Sequence, residues 1–241
     1  NICRTYSRNS SETIRDLHFR VNGPVINQLA MTFEEDWRFA TGEAIELPTR
    51  KHGAEQLGSP VYARIVVDGP DNPFQRTLWV MLGALAVSQK SVHILTPYFL
   101  PNEILRHALA VTALRGVSVE IVIPRHTDIP IVDWAMPGYF EWLLEHGIKL
   151  YVGGAPFDHS KLMVVDGVWA LAGSSNWDQR SLRLNFEANI ECYDGALAQQ
   201  LEARFASKRA LAAPVSLDEV RRTPRLLMLR NAFARLFAPY L

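Results

Sequence analysis

Two short apolar runs, residues 162–165 and 168–172, meet at Asp166-Gly167. Both have the pattern of buried strands, and an Asp-Gly pair between such runs is a strong hairpin signal. Alternation along the first strand puts His159, Lys161 and Met163 on one face. Ser174 and Asn176 stand in the same relation at the end of the second strand. A hairpin brings its two ends together, so an imidazole, an ammonium, a hydroxyl and an amide are expected to meet at one spot.

That set suits a phosphate group. Lys161 supplies charge, Ser174 and Asn176 supply neutral donors, and His159 exchanges a proton near neutral pH. The cluster itself contains no acid that would repel a phosphodiester. His52, His93, His107, His126 and His146 have no such company and read as surface or packing residues.

The spacing His159-x-Lys161-x4-Asp166-x6-Gly173-Ser174-x-Asn176 resembles the HKD motif of the phospholipase D superfamily. Residues 176–187 resemble the stretch just after the second HKD motif in bacterial cardiolipin synthases. Other segments of those enzymes are resembled by Thr96-Pro97-Tyr98-Phe99-Leu100-Pro101, Arg115-Gly116-Val117 and Gly23-Pro24-Val25. The likeness covers nearly the whole chain. It implies a C-terminal portion carrying the second motif.

Strand and helix patterns alternate. Strands are expected over 16–21, 61–67, 91–96, 117–123, 149–152 and 186–193. Helices are expected over 23–39, from Asp71-Asn72-Pro73 to 87, over 102–114, over 131–145 with a break near Pro137-Gly138, and over 196–210. In the first helix Val25, Leu29 and Phe33 form the inner face. This is an α/β chain. The resemblance implies a phospholipase D-like mixed sheet flanked by helices on both faces.

One internal comparison sharpens the organisation. Gly23 is followed by Gln28, Leu29 and Phe33; Gly195 is followed by Gln200, Leu201 and Phe205 at identical spacing. Each glycine follows a strand that begins near an acid, Asp16 or Glu187. Residues 1–42 then read as the tail of a first phospholipase D-like domain, 43–60 as a linker, and 61–213 as the second such domain. Residues 214–241 read as a basic amphipathic segment. No second His-x-Lys occurs, and the chain opens on Asn1-Ile2-Cys3. The expectation is a fragment that lacks its first HKD motif.

Composition adds bounds. Lys and Arg number 25 and Asp and Glu number 25, so no bulk field favours nucleic acid or anionic lipid; attraction would have to be local, and nucleic acid is not expected as a partner. Cys3 and Cys192 form no spacing pattern, which favours a reducing compartment. No apolar run is long enough to span a bilayer. From Arg221 onward there are five arginines and no acid, interleaved with leucines and phenylalanines. Such a segment either lies on an anionic membrane or packs on the domain with its arginines in solvent.

The resemblance implies phosphatidyl transfer between phospholipids through a phosphohistidine, with no cofactor and no metal. Carried over, His159, Lys161 and Asp166 are the HKD residues, with His159 the general acid and base. Lys161, Ser174 and Asn176 hold the phosphoryl oxygens, and Glu187 orients the His159 ring. Asp166, at the turn, is expected to bond backbone or a basic neighbour. Tyr98 lines the cleft or packs beneath it. The implied partners are phospholipids such as phosphatidylglycerol, a membrane surface, and either a missing N-terminal half or a second copy. The implied location is the bacterial inner membrane, cytoplasmic side or peripheral. Two alternatives stay open: a homodimeric single-motif phosphodiesterase or nuclease, and an inactive half-domain that only binds phosphate or lipid.

Overall fold

The structure is a computed structural model that describes residues 14–47, 61–71 and 74–241. Helix α1 (Val25–Thr41) precedes strand β1 (Tyr62–Asp68), helix α2 (Arg76–Val87) and strands β2 (Ser91–Leu95) and β3 (Phe99–Leu100). Next come α3 (Glu103–Leu114), β4 (Ser118–Pro124), α4 (Pro130–Ala135), a 3-10 turn (Met136–Tyr139), α5 (Phe140–Glu145) and β5 (Lys149–Gly153). The motif hairpin is β6 (Leu162–Val165) and β7 (Trp169–Gly173). After it run β8 (Trp177–Asp178), α6 (Gln179–Arg183), β9 (Glu187–Tyr193), α7 (Gly195–Ala210), β10 (Ala212–Pro214), α8 (Leu217–Arg221) and α9 (Arg225–Arg235).

Eight strands form one mixed sheet in the order β1-β9-β7-β6-β2-β4-β5-β10. Strands β2, β4 and β5 run parallel, while β6 and β7 pair antiparallel in the middle of the sheet. Period-two alternation sends neighbouring side chains to opposite faces. Val92, Ile94, Ile121, Met163 and Val165 pack under α2, α3, α4 and α5. Leu95, Val122, Leu162 and Val164 pack under α7 through Ala198, Leu201 and Phe205. Helices cover both faces, as expected. Both faces of β6 are therefore buried, which explains its unbroken apolar sequence.

Three expectations need correction. Residues 16–21 form no strand; the segment makes a single bridge, Arg15 to Asp158, because no strand beside it among the described residues completes a ladder. Helix α2 starts at Arg76 rather than near Asp71; Asp68, at the end of β1, accepts from the N–H groups of Arg76 (2.6 Å) and Thr77 (2.7 Å) and so serves its first turn. Asn72, Pro73 and the linker beyond residue 47 lie outside the described residues. Helix α1 buries none of its residues: Leu29 is 37% and Phe33 54% exposed, whereas their repeat counterparts Leu201 and Phe205 are 6% and 2% exposed. Residue Cys3 also lies outside the described residues. Cys192 is buried in β9, and burial pushes its thiol up to about 11.

Candidate active site

The hairpin closes as its sequence implies. Leu162 pairs with Ala172 and the Gly173 N–H donates to the Lys161 carbonyl, so the start of β6 lies beside the end of β7. Gly173 is required for a close approach. A methyl there would stand 2.5 Å from both Cα and Oδ1 of Asn189 on β9. The loops after β2 and β7 are then tied together. Thr96 Oγ1 donates to the Tyr98 carbonyl (3.0 Å) and accepts from the Trp177 N–H (3.4 Å), and β3 pairs with β8. The site thus sits past the C-terminal ends of parallel strands β2 and β4, where open α/β sheets bind ligands.

His159 and Lys161 come together. Lys161 Nζ lies 2.7 Å from His159 Nε2, 2.9 Å from Nδ1 and 2.8 Å from the His159 carbonyl. Asp16 Oδ2 lies 3.2 Å from His159 Nδ1. The structure thus puts Asp16, not Glu187, at the orienting position expected from sequence. Glu187 is buried on β9 and accepts from Asn185 Nδ2 at 3.3 Å. The bridge at Arg15 explains the exchange. Its N–H donates to the Phe157 carbonyl and its carbonyl accepts from the His159 N–H, which lays Asp16 against the imidazole.

The expected absence of acids around the site is also corrected. Lys161 is buried, and desolvation lowers its ammonium to about 8. Asp16, Glu187, Asp128 and Asp178 each pull it back up by charge attraction. Asp178 is itself pushed up to about 6, first by burial and then by Glu187, against the opposing bonds from Ser181 and Arg180 at the start of α6. Burial raises the Asp16 carboxyl, but its bonds to His159 and the Leu17 N–H outweigh that and hold it below the usual carboxylate range. Asp128 and Asp178 were missed because they arrive from segments remote from the hairpin. Glu187 carried a sequence signal through the family resemblance, and Asp16 through its alignment with Glu187 in the repeat.

The remaining residues divide. Asn176 is buried; its Nδ2 donates to Ser181 Oγ at 3.2 Å while its Oδ1 has no partner among the described residues. Turned by 180°, the amide would accept from the Ser181 hydroxyl and present its two N–H donors to a ligand. Ser174 is exposed and bound to the β9 backbone, accepting from the Ala188 N–H at 3.0 Å. Tyr98 is edge-on to the His159 ring at 6.4 Å and donates its hydroxyl to Asp128, which places it in the cleft. Asp166 lies at the far end of β6, five residues and about 16 Å of strand from Lys161. It accepts from the N–H groups of Gln89, Lys90 and Ser91 at 2.7–2.9 Å. It binds backbone and takes no place beside the phosphate cluster.

A mixed sheet with this cluster at the end of its central hairpin defines a phospholipase D-like domain. Residues 81–209 match the family described as "Cardiolipin synthase, PLD-like domain", and the chain belongs to that family. It is 32% identical over 232 residues to a cardiolipin synthase of Geobacillus sp. (strain WCH70), covering 94% of this chain and 45% of that protein. A Clostridium perfringens (strain SM101) cardiolipin synthase is 31% identical over 93% of this chain and 48% of its own length. The chain spans about half the length of these curated relatives. Among solved structures, a phosphatidylserine synthase of Haemophilus influenzae has the same fold: TM-score 0.60, 18% identity, 93% of this chain and 56% of that one.

Proposed function

We propose that the protein transfers a phosphatidyl group between phospholipids at a membrane surface, in the manner of its cardiolipin synthase relatives. His159 acts as general acid and base. The observation that carries the reading is the half-buried His159 beside the buried Lys161, oriented by Asp16, with an unsatisfied amide oxygen on Asn176 beside the same hairpin. A second histidine, from another HKD half, attacks phosphorus. The P–O bond to the leaving glycerol breaks, and its alkoxide takes the proton from His159 Nε2. In the return step the acceptor alcohol gives its proton to His159 and displaces the histidine from phosphorus. Lys161 and Asn176 hold the phosphoryl oxygens as charge develops. Ser174 supports Asn176 by fixing the end of β7 to β9.

The second half is supplied by the whole protein or by a second copy. Supporting the first source, α1 presents Leu29 and Phe33 in the register in which α7 buries Leu201 and Phe205. Residues 1–42 then belong to a first phospholipase D-like unit, 61–213 form the second, and residues 43–60 link them. Because Asp16 serves His159, the repeat assigns Glu187 to the other histidine.

The test is phosphatidylglycerol turnover by the whole protein, followed by mass spectrometry. Cardiolipin and free glycerol are expected, and His159→Ala should reduce both more than about 10³-fold. Phosphatidic acid as the only product would replace transfer with hydrolysis.

A further inference from the structure

The last helix is built inside out. Surface helices ordinarily turn their apolar stripe to the core and their charges to water. In α9 the buried residues are Asn231 and Ala234, and Ala238 is buried just beyond the helix. Leu226, Leu229, Phe233 and Leu236 are 60–82% exposed. Spaced at i, i+3, i+7 and i+10, they form one outward stripe at 3.6 residues per turn.

The arginines are divided between the two sides. Arg230 lies 5.3 Å over the Trp134 ring, and Arg235 donates to the Gly138 carbonyl at 2.9 Å. These two pin the helix to α4 and the 3-10 turn. Arg221 is tied to Glu141 and Glu145. The guanidinium groups of Arg222 and Arg225 are exposed, with no partner among the described residues. They sit at the start of the apolar stripe, and residues 221–241 contain no acid.

We infer that this face of α9 docks on an anionic lipid bilayer. The stripe enters the boundary between headgroups and acyl chains, and Arg222 and Arg225 meet lipid phosphates. Charge complementarity selects this occupant: large apolar side chains flanked only by cations match a surface that is apolar within and negative outside. The helix packs on α4. Its support, α4, begins two residues after Asp128, which takes the Tyr98 hydroxyl in the active site. Among the described residues no helix is long and apolar enough to cross a membrane, so contact through α9 is in-plane. The inference rests on the phospholipid-transfer reading only in naming a membrane as the surface.

The experiment is co-sedimentation of the whole protein with vesicles of phosphatidylcholine, alone and mixed with phosphatidylserine. Leu229→Glu with Phe233→Glu should lower partition onto the mixed vesicles more than about tenfold. Arg222→Gln with Arg225→Gln should lower it about tenfold on mixed vesicles and leave phosphatidylcholine vesicles unaffected. Circular dichroism should match wild type throughout. Unchanged partition in both double variants overturns the inference, as does a dimer that the glutamates disperse without changing partition. Turnover of monomeric short-chain phosphatidylglycerol separates the two readings. Vesicle binding that obeys these variants without any turnover removes the transferase and leaves the docking; turnover with indifferent partition does the reverse.

Discussion

Asp16 and His159 stand 143 residues apart in the chain and 3.2 Å apart in space. The carboxylate accepts from Nδ1–H, which holds that proton on Nδ1 and leaves Nε2 to exchange the reacting one; Lys161 Nζ lies 2.7 Å from Nε2 and 2.9 Å from Nδ1. Proton transfer therefore belongs to Nε2. A phosphoryl oxygen entering the site competes for the same ammonium. The orienting acid comes from the segment before α1, outside the sheet that carries the histidine, so integrity of that segment is a condition for activity.

Asp16→Asn keeps the shape of this contact and removes its charge. It should lower kcat for phosphatidyl transfer about 10²–10⁴-fold, as loss of a histidine-orienting carboxylate does elsewhere, with KM little changed. Its kcat against pH should also change shape, because the imidazolium formed in the reaction loses its counter-charge. A kcat within about threefold of wild type would remove Asp16 from the positioning role.

Lys161 has a measurable thermodynamic cost. A fall from 10.5 to about 8 corresponds to roughly 3 kcal/mol of disfavoured charge. Its folded pKa lies below the unfolded one, so the folded state holds fewer protons between about 8 and 10.5, and stability rises with pH across that window. Lys161→Met should abolish transfer yet unfold at a higher temperature at pH 7. The gap from wild type should narrow as pH rises from about 8 toward 10.5. Thermal melts at pH 7 and pH 9.5 check this; a less stable Met variant at pH 7 would refute it.

Much of this was legible in the sequence because it is local. The Asp-Gly turn, the apolar runs around it and the helix beginning near Asn102 each depend on neighbours a few residues away. The backbone role of Asp166 followed from its place at the turn. The convergence of four acids on Lys161 was illegible for the opposite reason. Asp16, Asp128, Asp178 and Glu187 lie on four segments, and only the fold brings them to one ammonium. The start of α2 was misread because Asp68 serves its first turn from the end of a strand, with no signal beside the helix itself.

Asp166 gives a separable prediction. Burial alone would raise its carboxyl, but three backbone N–H bonds outweigh that and hold it below the usual range. They also fasten the turn of the hairpin, at φ +53°, to the start of β2. Asp166→Ala should cost about 2 kcal/mol through lost bonds and a left-handed alanine. Below the melting transition kcat should stay within a few-fold of wild type. A large kcat loss in a folded variant would place the carboxylate in the chemistry after all.

Asp178 is a buried carboxyl raised from 3.8 to about 6, roughly 3 kcal/mol of disfavoured charge. Its folded pKa lies above the unfolded one, so this contribution is fully favourable below about 4 and is lost as pH rises through about 6. Asparagine is also a good helix cap and can still accept from the Ser181 N–H. Asp178→Asn should therefore stabilise the protein at pH 7 and lose that advantage near pH 4. Denaturant unfolding at the two pH values is the measurement; equal effects at both would show that the charge carries no cost.

The repeat makes the last prediction. An aromatic side chain as exposed as Phe33 ordinarily tolerates substitution with a change within about 0.5 kcal/mol. If α1 lies on the sheet of a first phospholipase D-like unit, as α7 lies on the second, Phe33 occupies the buried place of Phe205. Phe33→Ala in the whole protein should then cost about 3 kcal/mol or more, the range for a core phenylalanine, and lower transfer by displacing Asp16 at the other end of the same segment. Met31, 60% exposed two residues away, points to the opposite side of the helix. Met31→Ala is thus the internal control and should be near neutral. Equal, small effects at Phe33 and Met31 would mean that nothing covers this face of α1, and the second histidine would then have to come from another copy of the chain.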